Sequence, residues 1–264
     1  MGRAVKCELD EVGLKSLAKT GLERVAHVRV FHEEFLPWGV DVFVDVSRRA
    51  PHVRLTTIFD VGANVGQSAR RFAKLFPDAT VWSFEPFSSA FTELEQVTRD
   101  ARVRCFQLAL GAEPSTATVA LAQKSDLNSL LGSHATPDVP TETIHVTTLD
   151  AFTVDHGIER IDFLKIDTEG FDLAVLQGAE RLLTSGAISL VQVEAGMTSK
   201  NVKHVPLETL RVHLEERGYT MFGVYGQTPE WSGEARLRFA DVVFAAEHVS
   251  SPAAPKRFRG LACR

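Results

Sequence analysis

Thr57-Ile58-Phe59-Asp60-Val61-Gly62-Ala63-Asn64-Val65-Gly66-Gln67 passes from a short apolar, β-branched run into a turn bracketed by two glycines. An apolar run ending at glycine reads as a buried parallel strand. A helical pattern over about Gln67 to Phe76 follows. Glycine lets a backbone enter positive φ and approach a ligand closely. The stretch therefore predicts a strand, a turn that meets a small molecule, and a helix.

The same alternation extends outward. Thr80–Phe84 is a second strand signal ending at Glu85-Pro86, Phe87–Thr98 reads as a helix, and Arg102–Leu110 as a third strand closing at Gly111. The rhythm then breaks. Thr116–Leu121 and Thr143–Thr148 read as β segments around a polar stretch holding Asp126-Leu127-Asn128-Ser129, with Pro137 and Pro140 marking a loop. It resumes with a strand over Ile161–Ile166 that ends at Asp167-Thr168-Glu169-Gly170. A helix over Leu173 to Leu183, a strand over Ile188–Val193 ending at Glu194, and a helix over Leu207–Arg217 closed by Gly218 come next. Tyr219–Val224 and Val242–Ala246 form a terminal antiparallel pair. Alternating strands and helices predict a doubly wound, mostly parallel, seven-stranded α/β sheet with a β-rich insert after the third strand. The expected organisation is an N-terminal extension over residues 1–50, a main domain over 51–249 with the insert at about 112–148, and a loose tail over 250–264. In the extension, Leu14, Leu17, Ala18, Leu22 and Val25 recur at helical spacing. Residues 35–44 mix turn signals with a short alternating run and receive no assignment.

Composition narrows the class. With 29 basic and 34 acidic residues the net charge is −5, against the basic excess of a general nucleic-acid binder. Cys7, Cys105 and Cys263 form no CxxC pair and no disulfide framework, which fits a reducing cytoplasm. The first residues are charged rather than an apolar signal core, and no run of about 18 apolar residues suggests a membrane span. The expectation is a cytoplasmic protein, its oligomeric state open between a monomer and a homo-oligomer.

Ligands bind doubly wound sheets at the carboxyl ends of the strands. That rule selects Asp60–Gly66, Glu85, Leu110-Gly111, Asp167–Gly170 and Glu194. A dinucleotide fingerprint would read G-x-G-x-x-G, whereas this turn has Asn64 at the middle position and Gln67 after Gly66, so its pyrophosphate cradle is incomplete. Asp60 before the turn suits the amino-acid ammonium of S-adenosylmethionine. Glu85, 23 residues after Gly62, can accept from both hydroxyls of a ribose, a device shared by both cofactor classes. Ala109 and Leu110 are placed to flank an adenine. A nicotinamide-dependent oxidoreductase and a non-catalytic cofactor-binding partner subunit are the competing readings.

Together, Ile58 through Gly66, Phe84-Glu85-Pro86, Thr147-Thr148-Leu149-Asp150, Lys165-Ile166-Asp167-Thr168-Glu169-Gly170 and Val175-Leu176-Gln177-Gly178-Ala179 resemble the FkbM-type methyltransferase family. The resemblance covers about residues 55 to 225. It implies a class I, Rossmann-like methyltransferase fold with S-adenosylmethionine as donor. It also implies methylation of oxygen on sugars, polyketide antibiotics and other small metabolites, with a small-molecule or glycan acceptor. One departure is Asp172, where the family commonly has Glu.

On this reading the cofactor-binding candidates are Asp60, Gly62, Ala63, Asn64, Gly66, Glu85, Pro86, Ala109 and Leu110. Methyl transfer to oxygen needs an in-line acceptor and a group to take its proton, so positioning supplies much of the effect. Asp167, Glu169 and Lys165 are the catalytic candidates, with Asp167 as the acid holding the acceptor or touching the donor. The alternative is that Asp167 and Glu169 cap the helix beginning near Asp172. Lys165 reads as a partner of these acids rather than a base. Asp167, Glu169 and Glu194 could together bind Mg²⁺. Asn128, Ser129, Glu194 and His204 are candidates for the acceptor side, and His134, His145 and His204 for a base.

Overall fold

A computed structural model describes residue 31 and residues 35–99, 101–120 and 140–250. The extension helix expected around Leu14–Val25, the candidates Asn128, Ser129 and His134, and the tail beyond residue 250 lie outside the described residues. Contacts divide the chain between Val40 and Asp41 into two units. Of the first, the described part ends in a turn at Trp38-Gly39.

The second unit begins with a helix where the sequence offered no assignment. Helix α1 (Val42–Arg49) starts because the Asp41 carboxylate accepts from the Phe43 and Val44 amides at 2.9 and 3.2 Å. It is followed by β1 (Thr57–Val61), α2 (Gln67–Leu75), β2 (Thr80–Phe84), α3 (Ser88–Thr98) and β3 (Val103–Phe106). Next come β4 (Ala109–Leu110), β5 (Ser115–Ala120), β6 (Thr141–Thr147), α4 (Leu149–Asp155), β7 (Ile161–Ile166), α5 (Asp172–Gln177) and α6 (Glu180–Thr184). The chain closes with β8 (Ile188–Gly196), α7 (Leu207–Glu215), β9 (Tyr219–Pro229), β10 (Leu237–Ala246) and α8 (Glu247–Ser250).

Seven strands form the main sheet in the order β3-β2-β1-β7-β8-β10-β9, all parallel except β10, which runs antiparallel to both its neighbours. The central strands read as continuous apolar runs because both faces are covered. Phe59, Leu164 and Val191 pack on one face with α4 to α7, while Ile58, Phe163 and Leu190 pack on the other with α1 to α3. No helix among the described residues is long and apolar enough to cross a membrane.

Two expected elements are divided. The third strand does not run from Arg102 to Leu110: its ladder with β2 ends at Phe106, and Ala109-Leu110 pairs instead with β6 in a second sheet ordered β4-β6-β5. The helix expected over Leu173–Leu183 breaks at Gly178, where any Cβ would collide with the Gly111 carbonyl oxygen and lie 3.0 Å from its carbon. The Gly178 carbonyl accepts from the Asp150 amide at 2.9 Å. In return, the Asp150 carboxylate accepts from the Arg181 and Leu182 amides, 2.7 and 3.1 Å away, and so caps α6 from a distance. Two of the family-like motifs, Thr147–Asp150 and Val175–Ala179, are therefore a lock between the insert and the main domain.

Candidate active site

A cavity of about 440 Å³ opens at the carboxyl ends of β1, β2 and β7. One wall is Val61–Asn64 with Gln67 and Ser68 at the start of α2. A second is Phe84–Phe87 with Leu108–Leu110, and the third is Lys165, Asp167–Glu169, Phe171 and Glu194. The turn after β1 is tied to β2 by the Gly62 and Ala63 amides, which both donate to the Phe84 carbonyl at 3.0 and 2.9 Å. Gly62 (φ +79°) has no room for a side chain: a Cβ would strike the Asp167 carbonyl. Asn64 is left-handed (φ +47°). Its amide donates to Glu85 Oε2 at 2.9 Å, while the Phe87 amide donates to Oε1 at 3.0 Å. Each Glu85 oxygen thus retains acceptor capacity. The buried Asn64 Oδ1 has no hydrogen-bond partner among the described residues.

Of the cofactor-side candidates, Gly62, Ala63, Asn64, Glu85, Pro86, Ala109 and Leu110 lie on the cavity wall. Asp60 and Gly66 do not. Asp60 is fully buried beneath the turn, 3.5 Å from Lys165 Nζ, so its carboxylate meets that ammonium instead of the cavity. Gly66 (φ +89°) starts α2, and a Cβ there would lie 2.8 Å from Val97 Cγ2 and 3.0 Å from Leu94 Cδ1 of α3. Its glycine is a packing requirement between two helices. Gln67, Ser68, Phe87, Leu108 and Phe171 line the cavity without having been among the candidates, and Thr168 lines it from within the selected Asp167–Gly170 stretch. The position of Gln67 and Ser68, first residues of the helix after a glycine turn, was the available signal.

The catalytic candidates divide into two groups. Lys165 Nζ lies 3.0 Å from Asp167 Oδ2 and 3.5 Å from Asp60. Burial works against its charge, but Asp167 and Asp60 outweigh that and hold the ammonium above its ordinary range. A lysine so held is a cation, not a base. Asp167, a candidate cap for α5, accepts from Lys165, and Phe171 at the N-cap position offers no side-chain cap. Asp172 is buried and accepts from Thr168 Oγ1 at 2.9 Å. The departure from the family's Glu thus sits under the turn.

The other group gathers around Glu194. His204 Nε2 lies 2.7 Å from Glu194 Oε2, and Glu169, in a left-handed turn (φ +52°), brings a second carboxylate close by. Burial raises the Glu169 pKa, and neighbouring Glu194 and Asp167 raise it further. Burial disfavours the His204 imidazolium, yet the hydrogen bond and charge of Glu194 overcome this and raise its pKa. The set expected to gather, Asp167 with Glu169 and Glu194, is corrected: the ligand atoms that converge belong to Glu169, Glu194 and His204. Asp167 is drawn off by Lys165. His145 is exposed on β6 and does not line the cavity.

Burial raises the pKa of Glu85 from 4.5 to about 7, and that of Asp172 from 3.8 to about 7. The folded state therefore holds both protons more tightly than the unfolded chain does. That contribution to stability is fully present below the unfolded values and is lost as pH rises through about 7. At roughly 1.4 kcal/mol per pKa unit, ionising Glu85 costs about 3–4 kcal/mol and ionising Asp172 about 4–5 kcal/mol. The unliganded protein is expected to melt several degrees higher at pH 5.5 than at pH 8.5, about 2–4 °C per kcal/mol in a domain of this size. Scanning fluorimetry across that range checks this, and a flat profile would mean that both groups ionise near their ordinary values.

A family model described as Methyltransferase FkbM domain matches residues 60–221. The chain belongs to the FkbM methyltransferase family. Its sheet, with the single antiparallel strand β10 inserted between β8 and β9, is the class I methyltransferase architecture. Among curated relatives of this FkbM chain is the hexuronic acid methyltransferase AglP of Haloferax volcanii, 27% identical over 148 residues. The match covers 55% of this chain and 59% of the Haloferax protein. Methyltransferase 1 of Beauveria bassiana is 23% identical over 230 residues, covering 78% of this chain and 85% of that protein. Fibrillarin from Aeropyrum pernix, solved with bound S-adenosyl-L-methionine, aligns with a TM-score of 0.44 at 15% identity, covering 77% of this chain and 74% of that one.

Proposed function

We propose that this chain is an S-adenosylmethionine-dependent methyltransferase acting on a hydroxyl oxygen of a sugar or secondary metabolite. The observation that carries the reading is the charge of the cavity wall. Glu85, Asp167, Glu169 and Glu194 line it, and among the described residues the one cation on it is Lys165, itself paired to Asp167 and Asp60. Such a wall suits a donor bearing a sulfonium and an ammonium, and it opposes the pyrophosphate of a nicotinamide dinucleotide. The turn adds steric fit, since Gly62 and left-handed Asn64 bring backbone to the cavity edge.

When bound, the donor supplies an electrophilic methyl group. Within the protein, Glu85 holds a ribose through the free lone pairs of its two oxygens. Ala109 and Leu110 offer the apolar surface for a purine ring. Lys165 anchors Asp167 and Asp60 through its ammonium, 3.0 and 3.5 Å away. Glu169 and Glu194 form the acceptor end, where oxygen-rich substrates meet carboxylates. The name of the Haloferax relative, which concerns a hexuronic acid, supports a carbohydrate acceptor. The Mg²⁺ expected on Asp167, Glu169 and Glu194 is not carried into this reading, because Asp167 points to Lys165.

Isothermal titration tests the donor directly. S-adenosylhomocysteine is expected to bind one per chain and NAD to give no heat; saturable NAD binding, or silence with S-adenosylhomocysteine, would overturn the reading. Transfer of tritiated methyl from the donor to free hexuronic acids and glycosides then tests the acceptor class.

A further inference from the structure

We propose that Glu169, Glu194 and His204 form a binding site for a borderline divalent transition ion such as Zn²⁺ or Co²⁺, whose open positions face the cavity and take oxygens of the acceptor. One ligand atom from each residue lies within 4.8 Å of the others, a spread that small rotations of two glutamates can close onto a single ion. The three come from separate elements: the turn after β7, the end of β8, and the segment between β8 and α7. Glu169 and Glu194 are on the cavity wall, so the centre would open towards the place where an acceptor sits.

The imidazole is held as metal-binding imidazoles are held. Its Nδ1, when protonated, has an acceptor in Asn201 Oδ1 at 3.1 Å, while the nitrogen of the same side chain, 2.8 Å from Nδ1, donates to the Arg238 carbonyl at 2.9 Å. The ring stacks on Phe239 with centroids 4.6 Å apart. Both contacts lie outside the three ligands and leave Nε2 directed at Glu194. Fixing one ring nitrogen so that the other presents its lone pair is the usual work of groups behind a metal ligand. A simple histidine–glutamate ion pair would need neither Glu169 nor this support.

The donor set decides the kind of ion. Three carboxylates would favour Mg²⁺, but here an imidazole replaces one of them, and imidazole shifts preference towards transition ions. Such an ion can orient a vicinal diol or hydroxy acid and polarise its hydroxyl, the class of acceptor proposed above. This part of the inference rests on the methyltransferase reading; the existence of the site does not.

The test is a Co²⁺ titration of the full chain after chelation and dialysis, followed by visible absorption, with S-adenosylhomocysteine titrated into the same samples. One Co²⁺ per chain with a saturable ligand-field band is expected. Glu194→Gln and His204→Gln should each weaken binding by about tenfold or more, and Asn201→Ala by about 10–100-fold. Unchanged far-UV circular dichroism and a cooperative melt show that each variant is folded; if a variant does not fold, the other two carry the comparison. No saturable band in the parent protein, or a band unchanged in all three variants, overturns the site. Co²⁺ binding without S-adenosylhomocysteine binding would support the site and sink the methyl-donor reading, and the reverse result would do the opposite.

Discussion

Glu85→Gln is expected to lower affinity for S-adenosylhomocysteine by about 100-fold or more, read by isothermal titration. Glu85 is 5% exposed, and each carboxylate oxygen already accepts one backbone amide, from Asn64 and from Phe87. The remaining lone pairs are what a ribose diol would meet. Hydrogen bonds to a charged group contribute about 1.5–3 kcal/mol each, and 1.4 kcal/mol is a tenfold change in affinity. The variant would lose the charge and one of the two acceptor oxygens. Protonation gives an independent readout. Because the Glu85 pKa stands at about 7, and hydroxyl donors select the ionised form, affinity should fall as pH drops below 7, approaching about tenfold per unit. That slope should vanish in Glu85→Gln. Affinity within about twofold of the parent, with the slope intact, would place the ribose elsewhere.

Gly62→Ala is expected to destabilise the fold by about 4 kcal/mol or more and to abolish donor binding. Two costs combine. At φ +79° an L residue is strained by roughly 1–2 kcal/mol. The larger cost is steric: the new Cβ would collide with the Asp167 carbonyl oxygen and lie 2.9 Å from its carbon. That carbonyl cannot retreat cheaply, because the Asp167 amide donates to Val61 at 3.0 Å and continues the β1–β7 ladder from Val61↔Ile166. Relief requires prising apart the two central strands at the point where the cavity begins, and strain forced into a packed centre is among the few routes to effects this large. Gly157→Ala provides the control. It has φ +65° but nothing within 4 Å of a Cβ, so only the backbone term of about 1–2 kcal/mol applies. Urea unfolding of both variants separates the terms, and equal losses would refute the steric argument.

The sheet, its alternation with helices and the strand-end location of the cavity were legible because apolar runs and glycine turns are local features. Ile58, Phe163 and Leu190 mark central strands whatever surrounds them, since a strand covered on both faces must be apolar along its length. Boundaries were less legible where a distant contact intervenes. Gly178 breaks a helix because Gly111 occupies its side-chain space, and Ala109-Leu110 leaves the main sheet because β6 is there to pair with it.

Chemistry at the strand ends shows the same division. Gly62, Asn64 and Glu85 could be selected from position alone, because a turn after the first strand and an acid after the second must stand side by side in this topology. Which way an acid points could not be. Asp60 and Asp167 both turn to Lys165, which lies beside Asp60 only through the pairing of β1 with β7. His204 joins Glu194 and Glu169 only because the chain after β8 folds back over Phe239 and is held there by Asn201 and the Arg238 carbonyl. The sequence by itself determined the class I sheet and the turn at Asp60–Gly66, since strand period and glycine placement are properties of neighbouring residues. Only the tertiary structure decided which carboxylates face the cavity, because side-chain direction in a turn is set by the charges and packing that distant strands bring to it.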